Sequence, residues 1–155
     1  MPITDADINQ ISAIIEPLIG QKAWNVALGV GSFVTIDFGN VVPSKRPGGR
    51  SYGEWYLWMY CCAWYMSKDD DIVVGSEDER ETISAHIHIV SGLELVKVTI
   101  KPPAFEATFN FADGVALHLF PVFSTEYEHW MLYTPHNNVL TLGPGSTWSY
   151  APSAG

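Results

Sequence analysis

This 155-residue chain has few charged residues. Charged residues make up 16% of it, against about 25% in ordinary soluble domains. Only eight residues are Lys or Arg, whereas seventeen are Asp or Glu, which gives a net charge of −9. Because a surface that binds phosphate backbones needs clustered cations, the composition argues against nucleic acid as a partner.

The sequence has only two cysteines, and it shows neither a leader-like N-terminus nor a long apolar run. Cys61 and Cys62 are adjacent, and neighbouring side chains of a strand point to opposite faces, so they are poor disulfide partners. The N-terminus, MPITDADINQ, is polar and acidic, unlike a secretory signal. No apolar run approaches the roughly 20 residues of a membrane span. These features predict a cytoplasmic protein with reduced thiols and no membrane partner.

Motifs for the common chemistries are missing as well. The chain has no Gly-x-Ser-x-Gly elbow, and its Gly-rich stretches at 29–32 and 143–146 do not lead into a predicted helix that could hold a phosphate. A thiol in the apolar surroundings of Cys61 and Cys62 is poorly reactive. We therefore predict no catalytic residue, no metal and no cofactor, and favour a protein that is not an enzyme.

His86 and His88 are the best metal-ligand candidates, and their use depends on secondary structure. On a strand both imidazoles face one way, as in cupin metal sites. On a helix, at about 100° per residue, they diverge by about 200° and cannot share a metal. Ile83, Ala85, Ile87 and Ile89 alternate like a strand, whereas Ser76-x-x-Glu79 is a capping box that begins a helical apolar stripe. We favour a helix at 77–91.

Aromatic residues are plentiful, with six Trp, seven Tyr and seven Phe. The segment 53–66, GEWYLWMYCCAWYM, is apolar on both faces, which predicts one long strand in the middle of a sheet or in a subunit contact. Its Trp and Tyr side chains could also line a ligand pocket. Many aromatics and little charge together favour a homo-oligomer.

The remaining elements follow from periodicity and turn residues. Residues 4–19 have a helical apolar stripe, with Thr4 as the N-cap. Residues 22–38 read as strands that break at Gly29-Val30-Gly31, and residues 40–52 form a loop rich in Pro and Gly. Residues 105–121 form a hairpin around a three-residue loop, 112–114, which places Phe109, Phe111 and Leu117 on one face and His118 on the other.

These elements predict one α+β domain, residues 1–155. It contains an antiparallel β-sheet meander of about six to nine strands. An N-terminal helix lies in residues 1–20, an internal helix at 77–91, and residues 150–155 form a flexible tail.

Several blocks resemble a family of small, uncharacterised, single-domain bacterial proteins. The blocks are WNVALGVGSFVTIDFG (24–39), GEWYLWMYCCAW (53–64), GSEDER (75–80), FNFADGVALHLFP (109–121), HWMLYTP (129–135) and LTLGPGSTW (140–148). The hairpin and the blocks that follow it also resemble immunity-type proteins of bacterial toxin systems. Neither group has a catalytic motif, so the resemblance implies a bacterial, cytoplasmic, non-enzymatic protein.

We therefore predict a protein-binding role, with an immunity-type function as one form of it. The candidate partner-binding residues lie in the loop at 40–52 and in the acidic turn that follows the aromatic segment: Lys45, Arg46, Arg50, Tyr52, Asp69, Asp70 and Asp71. The alternative is a small-molecule-binding protein or metal-dependent enzyme that uses His86 and His88 or the aromatic segment 52–65.

Overall fold

Two antiparallel sheets organise the molecule in the computed structural model, which describes residues 2–44 and 47–153. Eleven strands lie in these ranges: β1 (Ala23–Leu28), β2 (Val34–Val42), β3 (Tyr52–Met59), β4 (Cys62–Lys68), β5 (Asp71–Gly75), β6 (Leu95–Lys101), β7 (Glu106–Phe111), β8 (Val115–Pro121), β9 (Trp130–Thr134), β10 (Asn138–Leu142) and β11 (Trp148–Pro152). The helices are α1 (Asp5–Ile15) and α2 (Arg80–His86), each extended by a short 3₁₀ turn. The predicted α+β class is confirmed, but two sheets replace the single meander.

The hydrophobic core lies between the sheets. The six-stranded sheet has the order β1-β2-β3-β9-β10-β11, and the five-stranded sheet has the order β5-β4-β8-β7-β6. Phe38 of the first sheet stacks on Phe111 of the second with ring centroids 6.2 Å apart. Phe109 meets Trp130 edge to face at 5.6 Å. Since one face of each sheet is used in this packing, each sheet also has an outer face.

The N-terminal helix begins as predicted. Thr4 and Asp7 form a reciprocal cap, in which Asp7 N donates to Thr4 Oγ1 at 3.2 Å and Thr4 N donates to Asp7 Oδ2 at 2.9 Å. The bond from the Thr4 backbone is the main reason that the pKa of Asp7 lies below its usual value. Ile11 and Ile15 are buried, and α1 packs against β6.

The internal helix is confirmed within the predicted range 77–91, but its cap differs from the predicted one. Glu79 is the N-cap and makes no side-chain cap bond. Ser76 Oγ instead accepts from Trp64 N at 3.1 Å, which joins the start of this segment to β4. The expected capping box was therefore wrong.

The aromatic segment 53–66 is two strands and not one. β3 ends at Met59, β4 begins at Cys62, and the two strands lie in different sheets. Between them Tyr60 N donates to His129 O at 3.1 Å, and Cys61 N donates to Glu128 O at 3.3 Å. The chain thus crosses between the sheets at this point, and each half becomes a central strand.

The hairpin of β7 and β8 has the predicted register. Ala107 faces Leu119, and Phe109 faces Leu117. Asp113 and Gly114 have φ of 62° and 75° in the loop at 112–114. His118 pairs with Thr108, so it lies on the face opposite the buried phenylalanines.

Two predicted segments have different limits in the structure. β2 continues to Val42, so the loop begins later than residue 40. Residues 150–152, predicted as part of a flexible tail, pair with β10 as the end of β11. No helix in the described ranges is long and apolar enough to cross a membrane.

Candidate ligand-binding site

Strand β3 sends its aromatic side chains to both faces of the six-stranded sheet. Trp55, Leu57 and Met59 point inward and are buried, whereas Tyr56 and Trp58 are half-buried. This alternation follows from the two-residue period of a strand. Since β3 lies between β2 and β9, Tyr56 and Trp58 stand near the middle of the outer face.

These outward side chains form the floor of an open cleft of about 1200 Å³. The cleft extends across the sheet from the β1–β2 hairpin to the β9–β10 hairpin. Its lining includes Leu28, Val30, Phe33, Thr35, Val42, Arg50, Tyr52, Glu54, Tyr56, Trp58, Tyr133, Pro135, His136, Asn137, Asn138 and Ser153. Its volume exceeds the roughly 300–1,000 Å³ of most small-molecule sites, so it has room for an extended ligand.

Rings contact one another along the floor and at one end. Tyr56 and Tyr133 lie on neighbouring strands with centroids 5.9 Å apart. Phe33 and Trp58 both contact Tyr60, each with centroids 4.9 Å apart. Burial, followed by the charge of Tyr56, raises the pKa of Tyr133 above its ordinary value. The Tyr133 phenol therefore keeps its proton, and remains a hydrogen-bond donor, to a higher pH than an exposed tyrosine does.

The other end of the cleft carries an ion pair between an exposed arginine and a buried carboxylate. Asp37 is completely buried and accepts hydrogen bonds from Asn25 Nδ2 at 2.8 Å, Gly53 N at 2.9 Å and Arg50 Nη1 at 3.2 Å. The Arg50 side chain is 54% exposed, and its guanidinium carbon lies 6.0 Å from the centre of the Tyr56 ring. Asp37 thus fixes a solvent-accessible cation above an aromatic face.

Local backbone irregularities place these groups. Asn25 has φ of 49° where the pairing of β1 with β2 shifts, which turns its amide towards Asp37. Gly39 has φ of 78° at a second shift, between β2 and β3. Glu54 Oε1 accepts from Asn40 N at 3.2 Å and would lie 2.6 Å from a Cβ at position 39. The bulge therefore requires glycine and holds the Glu54 carboxylate at the cleft.

Described members of the predicted partner-binding set line different pockets. Arg50 and Tyr52 line the cleft, and Lys45 and Arg46 lie outside the described residues. Asp69 and Asp70 line a smaller polar pocket of about 350 Å³ beside the five-stranded sheet, and Asp71 begins β5. The loop and the acidic turn are thus associated with different sheets.

The histidines have separate surroundings. His86 and His88 lie on the helical segment, not on the strand that a shared metal requires, and His86 Nδ1 donates to Thr82 O at 2.8 Å. His129 is buried with its two ring nitrogens 3.0 Å from Ala104 O and 2.9 Å from Phe123 O. Over residues 2–44 and 47–153, no three His, Cys, Asp or Glu side chains are grouped to hold a metal.

His118 lies in hydrogen-bond contact with a serine on a neighbouring strand. Its Nε2 lies 3.1 Å from Ser67 Oγ, and its Nδ1 lies 3.4 Å from Thr108 Oγ1. Burial lowers the pKa of His118, with a smaller opposing effect of Glu106. In a catalytic triad a carboxylate orients the histidine, whereas here that position is taken by a hydroxyl. The cluster reads as cross-strand pairing on an outer face.

Sequence reasoning missed most of the cleft. Asp37 had a detectable signal, because a lone carboxylate in the apolar strand VTIDFG needs a partner when it is buried. Tyr133 and Phe33 had no such signal, since only strand pairing brings them beside Tyr56 and Trp58. Of the predicted partner-binding residues, Arg50 and Tyr52 lie in the cleft, as do Tyr56 and Trp58 of the aromatic segment that was the alternative ligand site.

Comparison of the chain with protein-family models, with curated proteins and with solved structures finds no significant match. The function proposed below therefore rests on the cleft itself.

Proposed function

We propose that this protein binds a small organic ligand in the cleft, and that the ligand has ring-shaped, partly apolar surfaces. The observation that carries the proposal is the half-buried aromatic floor of Tyr56, Trp58 and Tyr133 on the outer face of the six-stranded sheet. A ligand with flat apolar surfaces covers this face and gains both burial and ring contacts.

Neither helix covers the aromatic floor, and this supports the proposal. Helix α1 packs against β6, and α2 packs against β5 and β1, so neither helix covers the centre of the outer face. Apolar surface that stays exposed in this way marks interaction sites more often than chance. A bound molecule would remove that surface from water.

The rigidity of the charged end gives a second argument. Arg50 is held by the buried Asp37, and Asp37 is held in turn by Gly53 N and Asn25. A side chain that is already fixed loses less conformational freedom when a ligand arrives, which favours affinity. The cleft thus combines a fixed polar contact with an apolar floor, the combination that small-molecule sites use for orientation and affinity.

Ligand-observed NMR with a library of neutral, cationic and anionic ring compounds tests the proposal. We expect several compounds to bind the wild-type protein, and their saturation-transfer signals to fall several-fold in Trp58→Ala. Tyr65→Ala is the matched control, because Tyr65 is a half-buried ring on a central strand of the other sheet. Hits that persist in Trp58→Ala, or a library with no hits, would contradict the proposal.

We propose protein binding in the bacterial cytoplasm, in the manner of an immunity-type protein, as a second function. The observation that favours it is the exposure of apolar side chains away from the floor, with Val122 76% and Tyr127 51% exposed. A second copy of this chain is one partner that would cover them, in keeping with the predicted homo-oligomer.

Light scattering on the purified protein tests self-association, and a pull-down from the native host tests a different partner. Val122→Ser together with Tyr127→Ser should abolish either complex while leaving ring-compound binding intact. If the protein is monomeric by light scattering and the pull-down recovers no partner, this second function is contradicted.

A further inference from the structure

The direction of the cleft limits the shape of its ligand. Its lining residues come from β1, β2, β3, β9 and β10 and from Ser153 beyond β11, and its rings follow β3, on which Trp58 and Tyr56 are two residues apart. The rings are spread along this path, with Phe33 and Trp58 towards one end and Tyr56 and Tyr133 near the middle. A chain of several rings would contact more of this floor than a single compact group.

The charge of the cleft limits the ligand further. Of the lining residues that the structure describes, Arg50 and Glu54 carry formal charges, and these are of opposite sign. Arg50 is also neutralised by Asp37 at 3.2 Å. Because the whole molecule has a net charge of −9, its field opposes the approach of an anion. The charge of the molecule therefore argues against an anionic ligand.

The polar groups of the cleft are mixed and mostly uncharged. Thr35, Asn137 and Asn138 each offer a side-chain donor and acceptor, while Arg50 donates and Glu54 accepts. Ser153 Oγ donates to Asn137 O at 3.0 Å and can still accept. A neutral molecule with hydroxyl groups around its edges can use both kinds of partner. The faces of pyranose rings are made of C–H bonds, which pack on aromatic rings, and the ring edges carry the hydroxyls.

A peptide that adds to the sheet as a strand does not fit this face. That mode of recognition uses backbone hydrogen bonds at the edge of a sheet. The floor of the cleft is instead formed by β3 and β9, which are paired on both sides. Their backbone groups are therefore already engaged, and only side chains face the ligand.

From these observations we infer that the cleft binds a neutral oligosaccharide, with its sugar faces on Tyr56, Trp58 and Tyr133. This inference rests on the proposed ligand-binding function and adds the chemical class of the ligand.

Isothermal titration calorimetry with four neutral probes tests the inference: maltohexaose, cellohexaose, xylohexaose and chitohexaose. We expect at least one to bind, and the anionic hexamer of galacturonic acid to bind at least about tenfold more weakly. Trp58→Ala should weaken binding about tenfold or more through the loss of burial and ring contact. Trp58→Phe, which keeps a ring, should retain a larger part of the affinity, and Tyr65→Ala should bind like the wild type. Thermal melts establish that each variant is folded.

The outcomes separate the two proposals. If ring compounds bind in a Trp58-dependent way but none of the four hexasaccharides binds at millimolar concentration, the saccharide inference is overturned and the ligand-binding function stands. If the galacturonate hexamer binds as well as the best neutral probe, the inference of a neutral ligand is overturned. If neither ring compounds nor saccharides bind, both proposals fail. Neutral binding that is lost in Trp58→Ala and kept in Tyr65→Ala supports both.

Discussion

Asp37 shows how a single buried residue supports the cleft. It is a completely buried carboxylate in an otherwise apolar strand, and its three hydrogen-bond partners come from β1, β3 and the loop that carries Arg50. Such a group is stable when buried only because these donors replace water. The residue therefore supports both the pairing of three segments and the position of the exposed cation.

We expect Asp37→Ala to lower the free energy of unfolding by about 2–4 kcal/mol, since it leaves the buried Gly53 N–H without an acceptor and removes the partner of Arg50. Chemical denaturation measures this change. Asp71→Ala, at an exposed carboxylate, is the control and should change stability by less than about 0.5 kcal/mol. Equal effects of the two substitutions would contradict the role assigned to Asp37.

The two adjacent cysteines should differ in reactivity. Burial, assisted by the neighbouring Cys61, raises the pKa of Cys62 to about 12. Burial and the charge of Glu128 raise the pKa of Cys61 less strongly. Since the thiolate is the reactive form, iodoacetamide at pH 8.5 should label Cys61 before Cys62, and labelling of both should increase as pH rises.

Peptide mass spectrometry over time measures the two labelling rates. The control is the protein unfolded in urea, where both thiols should react at similar rates because burial is lost. Faster labelling of Cys62 in the folded protein would show that its surroundings differ from those described.

At the scale of elements, the site depends on how closely β2 and β3 approach each other. Gly53 donates its N–H to Asp37, and a Cβ at this position would lie 2.6 Å from Phe38 O and 2.8 Å from Phe38 N. These neighbours are backbone atoms, so they cannot move aside without disturbing the pairing of the two strands.

We therefore expect Gly53→Ala to cost about 2–3 kcal/mol of stability through overpacking. Gly75→Ala is the matched control, because Gly75 is also a strand glycine and its nearest neighbour would be 3.6 Å from the new Cβ. It should change the free energy of unfolding by less than about 0.5 kcal/mol. A Gly53→Ala variant as stable as Gly75→Ala would mean that β2 and β3 are less tightly packed.

Elements with a local signal were predicted from the sequence. The Thr4 cap and the isoleucine spacing indicated α1, and the Asp113-Gly114 loop with its flanking alternation indicated the register of β7 and β8. The break between β3 and β4 had no such signal. Tyr60 and Cys61 are not turn residues, and the chain changes sheets there because their backbone groups bond to the distant segment 128–129.

At the scale of the whole molecule, two packed sheets separate the two tasks of the aromatic residues. Phe38, Phe109, Phe111 and Trp130 fill the space between the sheets, whereas Tyr56, Trp58 and Tyr133 stand on the outer face. The composition shows that aromatic residues are abundant, but not which of them lie in the core and which lie on the outer face. The division depends on non-local strand pairing, above all of β3 with β9, which residue patterns along one segment do not specify.

Chemical-shift mapping tests the central claim most directly, with ¹⁵N-labelled protein and the ring compound that binds best. We predict that the Trp58 indole N–H and the amides of Tyr56 and Tyr133 shift on titration. The indole signal of Trp130, which is buried in the core and donates to Phe105 O, should change little. Shifts confined to the five-stranded sheet, with the Trp58 signal unchanged, would contradict the assignment of the cleft as the binding site.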